Sequence, residues 1–296
     1  MIRIVISDAD GTLLHRGKLM NPHLFSHMLH TLKERQIPMV IASGRSYPEL
    51  KRLFAPFSDQ LLFAPLDGAF AVAGETLLCG FPLDNESISD SMGLLSDPAV
   101  TGVEFCTQTE AYLYPAAPFV HSSFAKDTLI RTEEMRIGDA LRPMPQGAAL
   151  PTEPIYKIIV FKKRTAAAFS LPKGTRAVYD SPIVAELVRQ DISKCSAVKV
   201  LCEALHLTPA DLLVFGDSEN DRTLLTYAAN GGGRAVTIYG AKHDVFTITP
   251  YHTQNVADSV LHFLSEEDRE AAKQAQHAKQ TERIANYKNH GEVSYH

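Results

Sequence analysis

Ile4-Val5-Ile6-Ser7-Asp8-Ala9-Asp10-Gly11-Thr12-Leu13-Leu14 decides how this chain is read. An apolar run of strand length ends in two carboxylates two residues apart, and a turn-forming glycine follows. Side chains at i and i+2 of extended backbone share one side, so Asp8 and Asp10 face one reacting centre. Two close carboxylates repel each other, and a divalent cation or shared protons offset that. A strand entering an Asp-Gly hairpin turn is the reading that needs no chemistry. A calcium loop is excluded, because Leu13 stands where its glycine should be and Leu19 where its glutamate should be.

Around this segment strand and helix alternate from Met1 to about Leu83. Asn21-Pro22 opens a helix carrying Leu24, Phe25, Met28, Leu29 and Leu32 on one face. Pro38–Ala42 predicts a second strand, Tyr47–Phe54 a second helix and Leu61–Ala64 a third strand. Such alternation predicts an α/β fold with a doubly wound, mainly parallel sheet. Between Asp84 and Ser181 the texture changes to one helix (Ile88–Leu95), prolines at 115, 118, 143, 145, 151 and 154, and strands at Tyr156–Phe161 and Arg176–Tyr179. From Pro182 alternation resumes, with a helix over Ser193–Leu205, a strand over Leu212–Phe215, a helix from Glu219, a strand over Ala235–Ile238 and a closing helix over Asn255–Leu264.

The expected organisation is a discontinuous core (residues 1–83 and 182–265), an α/β domain inserted at 84–181, and a C-terminal helical extension at 266–296. In the extension, Ser265-Glu266-Glu267-Asp268 reads as a capping box that opens a new helix. Ala271, Ala275, Ala278 and Ala285 then form a thin stripe on a solvated or loosely docked helix.

At 296 residues with a formal net charge of −5, the chain has no general basic field, so nucleic acid is not an expected partner. No apolar run approaches the ~18 residues of a membrane span, and Met1-Ile2-Arg3-Ile4 lacks the layout of a secretory signal. Cys79, Cys106, Cys195 and Cys202 show no Cys-x-x-Cys spacing. Cys195 and Cys202 fall on one predicted helix with Cα atoms about 10 Å apart, too far for a bridge. A reducing cytoplasm is the expected compartment, and a monomer or homodimer the expected state.

Three further segments belong with the first. Val40-Ile41-Ala42-Ser43-Gly44-Arg45 delivers a hydroxyl, a glycine amide and a guanidinium at a strand end. Ser193-Lys194 sits at a predicted helix start, where backbone N–H groups favour an anion. Leu212-Leu213-Val214-Phe215-Gly216-Asp217-Ser218-Glu219-Asn220-Asp221 is a strand ending in a second acidic loop. Open α/β sheets place ligands beyond the carboxyl ends of their strands. Each segment alone has an innocent reading as cap or turn; the ordered set of four does not.

These motifs resemble the haloacid dehalogenase superfamily of phosphohydrolases, and its Cof-like branch in particular, over nearly the whole chain up to Leu264. Asp-x-Asp-Gly-Thr with Gly-Asp-x-x-Asn-Asp is the specific pairing, and the large insertion falls where that branch carries an α/β cap. The resemblance implies a cytoplasmic Mg²⁺-dependent phosphatase acting on a small phosphorylated metabolite, a sugar phosphate above all, through an aspartyl-phosphate. It makes Asp8 the nucleophile and Asp10 the general acid/base. Ser43 and Lys194 would bind the phosphoryl group, with Gly44 and Arg45 close by and Asn220 contacting phosphate or orienting its neighbours. Asp8, the Asp10 backbone carbonyl, Asp217 and Asp221 would hold Mg²⁺. Asp10 favours ester chemistry, since a leaving alkoxide needs a proton donor. A phosphomutase, or a metabolite-binding protein of the same fold with little turnover, are the rival readings.

The chain departs from the branch at Asp67-Gly68-Ala69, where Asn-Gly-Ala is usual, at Cys195, and at Gly231-Gly232-Gly233-Arg234 and Tyr239-Gly240-Ala241. Tyr112, Tyr114, His121 and Arg142 are candidate substrate contacts from the insertion. His23, His27 and His30 lack the glutamate of a His-Glu-x-x-His zinc site. The triple glycine precedes a strand and reads as a flexible turn, and Cys195 beside Lys194 reads as either an oxidation-sensitive or an inert buried thiol.

Overall fold

The computed structural model describes residues 1–116, 141–145, 147–163 and 169–290, so Pro118 and His121 lie outside the described residues. Among the described residues the larger sheet has eight strands in the order His252–Thr253, Arg234–Ile238, Leu212–Gly216, Ile4–Ser7, Met39–Ala42, Leu62–Ala64, Phe70–Ala73, Thr76–Gly80. The first six run parallel, as the strand–helix alternation predicts. The last two are antiparallel additions that the alternation does not announce. Every residue of Ile4–Ser7, Met39–Ala42 and Leu212–Gly216 is buried. Helices cover both faces of such strands, which is why they read as unbroken apolar runs. On one face the Pro22–Glu34 helix buries Phe25, Met28, Leu29 and Leu32. Its start is fixed by Asn21, whose Oδ1 accepts from the Leu24 N–H at 3.2 Å.

Register does the positioning. Ser7 lies opposite both Phe215 and Ile41, so the strands Ile4–Ser7, Leu212–Gly216 and Met39–Ala42 end level with one another. The chain beyond each end therefore delivers Asp8, Asp217 and Ser43 to one edge.

The smaller sheet has the order Leu141–Pro143, Ala111–Pro115, Val100–Cys106, Lys157–Lys162, Val184–Arg189, Thr175–Asp180. One face carries Val103, Phe105, Ile158 and Val160 in a cluster that takes in Ile88 and Met92 of the Asn85–Gly93 helix. The other face, with Cys106, Leu113, Ile159, Phe161 and Val188, joins the apolar cluster of the larger sheet. Phe70 of the larger sheet meets Tyr156 with ring centroids 4.7 Å apart.

Several expectations are corrected. Val184–Arg189, expected in the resumed core from Pro182, pairs with Lys157–Lys162 and Thr175–Asp180 in the smaller sheet. The chain returns to the core only with the Lys194–Ala204 helix. Ser265 caps nothing, because one helix runs without a break over Val256–His290. The acids read as its first turn are tethers: Glu267 accepts from the Ile2 N–H at 3.0 Å and from Arg234 at 2.8 Å, and Asp268 pairs with Arg35 at 2.6 Å. Ala271, Ala275 and Ala278 are exposed, and the side chain of Ala285 lies outside the described residues. The triple glycine is a turn, as expected, but a tightly packed one: a Cβ on Gly233 would sit 2.1 Å from the Pro209 carbonyl oxygen. Among the described residues no helix is long and apolar enough to cross a membrane.

Candidate active site

The three level strand ends bring Asp8, Asp217 and Asp221 together. One carboxylate oxygen from each lies within 4.8 Å of the others. Asp8 and Asp221 are 4% and 1% exposed, which removes most of the water that would otherwise screen their repulsion. Gly11 makes room for the cluster: it has φ +81°, and a Cβ there would lie 2.4 Å from Asp217 Oδ2. Thr12 donates to Asp217 Oδ1 at 3.0 Å and fixes that side chain.

Lys194 opens its helix behind the N-cap Ser193, as predicted, and points into the acids. Its ammonium donates to Asp8 Oδ1 at 2.5 Å and to Asp221 Oδ1 at 2.7 Å. Burial alone would lower the lysine's pKa, but Asp221 and Asp8 reverse that and hold it above the ordinary range. Burial pushes the Asp8 carboxyl well up against the pull of Lys194, with Asp221 adding to the rise. Burial and Asp221 raise Asp217 too. Three carboxylates face one ammonium, so the cluster is two positive charges short. An all-oxygen donor set with that deficit fits a hard divalent cation such as Mg²⁺.

Asp221 Oδ2 already accepts from the backbone N–H groups of Asp217 and Ser218, each at 3.0 Å. Asp8 and Asp217 are thus the freer donors. The Asp10 carboxylate is not part of the cluster; Arg45 holds it through Nε at 2.6 Å and Nη2 at 2.9 Å. Ser43 is buried, with its Oγ accepting from the Arg45 N–H at 3.2 Å. Asn220 is engaged at both ends, donating to Asp67 Oδ1 at 3.0 Å and accepting from Ser218 at 2.6 Å.

A cavity of about 470 Å³ opens over these groups, lined by Asp8, Asp10, Ser43, Gly44, Arg45, Lys194 and Asn220 from the larger sheet's loops. Its far wall is Ile159, Phe161, Val178, Tyr179, Val184 and Glu186 from the smaller sheet. None of the described cap candidates lines it. Tyr112 donates to Glu110 at 2.7 Å, Tyr114 to the Ala149 carbonyl at 2.7 Å, and Arg142 pairs with Glu110. Ile159 and Phe161 face the cavity beside their cross-strand partners Glu186 and Val184, whereas Tyr112 and Tyr114 belong to the opposite cluster. His23, His27 and His30 are exposed on their helix. Cys195 is buried, and burial pushes its thiol up to about 11, which answers the sequence alternative in favour of an inert cysteine.

Sequence reasoning missed Lys157 and Glu186. Lys157 donates to Asp67 Oδ2 at 2.8 Å and pairs with Glu186. Burial would raise Asp67, yet Lys157 and Lys194 outweigh it and hold the carboxyl below its usual range. The available signal was a lysine directly before the apolar run Ile158–Phe161, together with an aspartate where the branch it resembles has asparagine.

Known proteins agree with this architecture. The 5-amino-6-(5-phospho-D-ribitylamino)uracil phosphatase YbjI of Escherichia coli is 23% identical over 281 residues, covering 88% of this chain and 96% of its own. Among solved structures, BT1666 from Bacteroides thetaiotaomicron, described among phosphatases, matches with a TM-score of 0.68 at 18% identity, over 90% of this chain and 95% of its own. The subclass IIB sugar phosphatase BT4131 matches with a TM-score of 0.66 at 15% identity, over 88% and 98%. A family model described as haloacid dehalogenase-like hydrolase matches residues 5–264, from the strand before Asp8 to the end of the core, and the chain belongs to that family.

Proposed function

We propose that the protein is a Mg²⁺-dependent phosphatase that hydrolyses the phosphate monoester of a small metabolite through an aspartyl-phosphate on Asp8. The observation that carries this reading is the charge-deficient convergence of Asp8, Asp217 and Asp221 beneath a cavity of small-molecule size. Asp8, Asp217 and the Asp10 carbonyl would hold the ion, and Asp221 would act through water. When bound, Mg²⁺ supplies the positive charge that lets a carboxylate approach a phosphate dianion.

The chain's own groups supply the rest. Asp8 forms its oxygen–phosphorus bond as the ester oxygen–phosphorus bond breaks, dividing the hydrolysis into two easier steps. Lys194 holds Asp8 in place and lends a point charge beside the phosphoryl oxygens. The Ser43 hydroxyl and the Gly44–Arg45 segment would receive those oxygens. Asp10 gives its proton to the leaving oxygen, then takes one from the water that attacks phosphorus and frees Asp8. Such positioned proton transfer contributes ~10²–10⁴ in rate. The carbon skeleton of a sugar or polyol phosphate would lie on Ile159, Phe161, Val178 and Val184, with its hydroxyls toward Glu186. Four free thiols, three of them buried, suit a reducing cytoplasm.

The test is hydrolysis of p-nitrophenyl phosphate by purified protein with and without Mg²⁺, beside Asp8→Asn. Mg²⁺-dependent release of nitrophenol that Asp8→Asn abolishes is the expected result. Unchanged hydrolysis by Asp8→Asn would refute the nucleophile.

A further inference from the structure

Lys157 is fully buried at the start of a strand of the smaller sheet, yet its ammonium crosses to the larger one. It donates to Asp67 Oδ2 at 2.8 Å and to the Gly44 carbonyl at 3.1 Å, and pairs with Glu186 on the adjacent strand. Asp67 is itself a junction. Its N–H donates to the Ser43 carbonyl at 2.9 Å, and its Oδ1 accepts from Asn220 at 3.0 Å. It is also held at φ +59°, a left-handed conformation that a non-glycine residue keeps only when its surroundings over-determine it. One residue thus ties together three parts: its backbone N–H holds the loop after Met39–Ala42, and its carboxylate holds the loop after Leu212–Gly216 and the smaller sheet.

A buried ammonium is tolerated only while its charge is paired and hydrogen-bonded. Separating the two sheets would strip Lys157 of Asp67 and Gly44 and leave it Glu186 alone. The network can therefore be complete only with the sheets docked, and its core end is bonded to the loops that line the phosphoryl side of the cavity.

We propose that Lys157 is a positioning residue carried by the inserted sheet: by fastening to Asp67 and Gly44 on docking, it fixes the Ser43–Arg45 and Asn220 loops in the arrangement that receives the phosphoryl group. The proposal rests on the phosphatase reading for its kinetic consequence, but not for its structural one.

The experiment compares amide hydrogen exchange and p-nitrophenyl phosphate kinetics in the wild-type protein, Lys157→Met, Asp67→Asn and the double variant. Exchange in segments 43–46, 66–69 and 217–221 is expected to rise at least tenfold in each single variant, with the remote Arg234–Ile238 strand unchanged. KM is expected to rise at least fivefold, more than kcat falls, and the double variant should be no worse than the worse single one. Unchanged exchange at those segments, a uniform rise across the whole chain, or additive effects in the double variant would overturn it. Should Lys157→Met fail to fold, the nearly isosteric Asp67→Asn carries the same readings alone. A wild-type protein without turnover sinks the phosphatase reading and leaves the exchange result to judge Lys157.

Discussion

Arg45 grips Asp10 with two parallel hydrogen bonds, Nε to Oδ2 at 2.6 Å and Nη2 to Oδ1 at 2.9 Å. Bidentate guanidinium–carboxylate pairing fixes a plane as well as a distance. Both residues line the cavity, so the guanidinium sets where the proposed acid/base stands before substrate arrives.

An acid that protonates the leaving oxygen matters less when that oxygen leaves easily as an anion. Asp10→Asn should lower kcat by ~10²–10⁴ on an alkyl phosphate, and by clearly less on p-nitrophenyl phosphate. Parallel turnover measurements check this; equal losses on both esters would remove Asp10 from the acid's role.

Metal dependence should follow the donor set. Chelation by EDTA should abolish hydrolysis, and Mg²⁺ should restore it. Asp217→Asn removes a negative charge from the donor set without removing either Lys194 partner, so it should raise the Mg²⁺ concentration for half-maximal rate at least tenfold. A titration of rate against Mg²⁺ decides; an unshifted midpoint would exclude Asp217 as a ligand.

Asp67 gives a pH signature. Its carboxyl titrates below the usual range when folded, because Lys157 and Lys194 outweigh its burial. Its stabilisation is therefore fully present above the unfolded value of about 4 and drains away as pH falls through the lowered folded value. Wild type should exceed Asp67→Asn by a few kcal/mol, on the order of the cost of breaking a buried pair. That gap should hold from pH 8 to 5 and close below pH 4. Urea midpoints across this range provide the measurement, and a gap that widens in acid would contradict the assignment.

The thiols should be quiet. Burial pushes Cys106 up to about 12 and Cys195 and Cys202 up to about 11, leaving half-buried Cys79 as the accessible one. Ellman's reagent should modify at most one thiol in the native protein and four after denaturation. Rapid labelling of Cys195 in native protein would reopen its role.

The sequence alone determined the parallel core and named most of the residues that converge at the candidate site. Strands buried on both faces must be apolar throughout, so Ile4–Ser7, Met39–Ala42 and Leu212–Gly216 announced themselves, and the acids, serine and glycines at their ends came with them. In the smaller sheet Lys157–Lys162 and Thr175–Asp180 were legible as strands, and Val100–Cys106 and Val184–Arg189 were not. Val100–Cys106 is interrupted by Gly102 and Glu104, and Val184–Arg189 mixes Glu186 and Arg189 with its apolar residues. The tertiary structure alone decided which residues of that sheet look into the cavity, because a strand's two faces are indistinguishable until a partner covers one. It also decided that Lys157 reaches Asp67 across 90 residues of chain, since a buried charge is legible only when its partners can be seen.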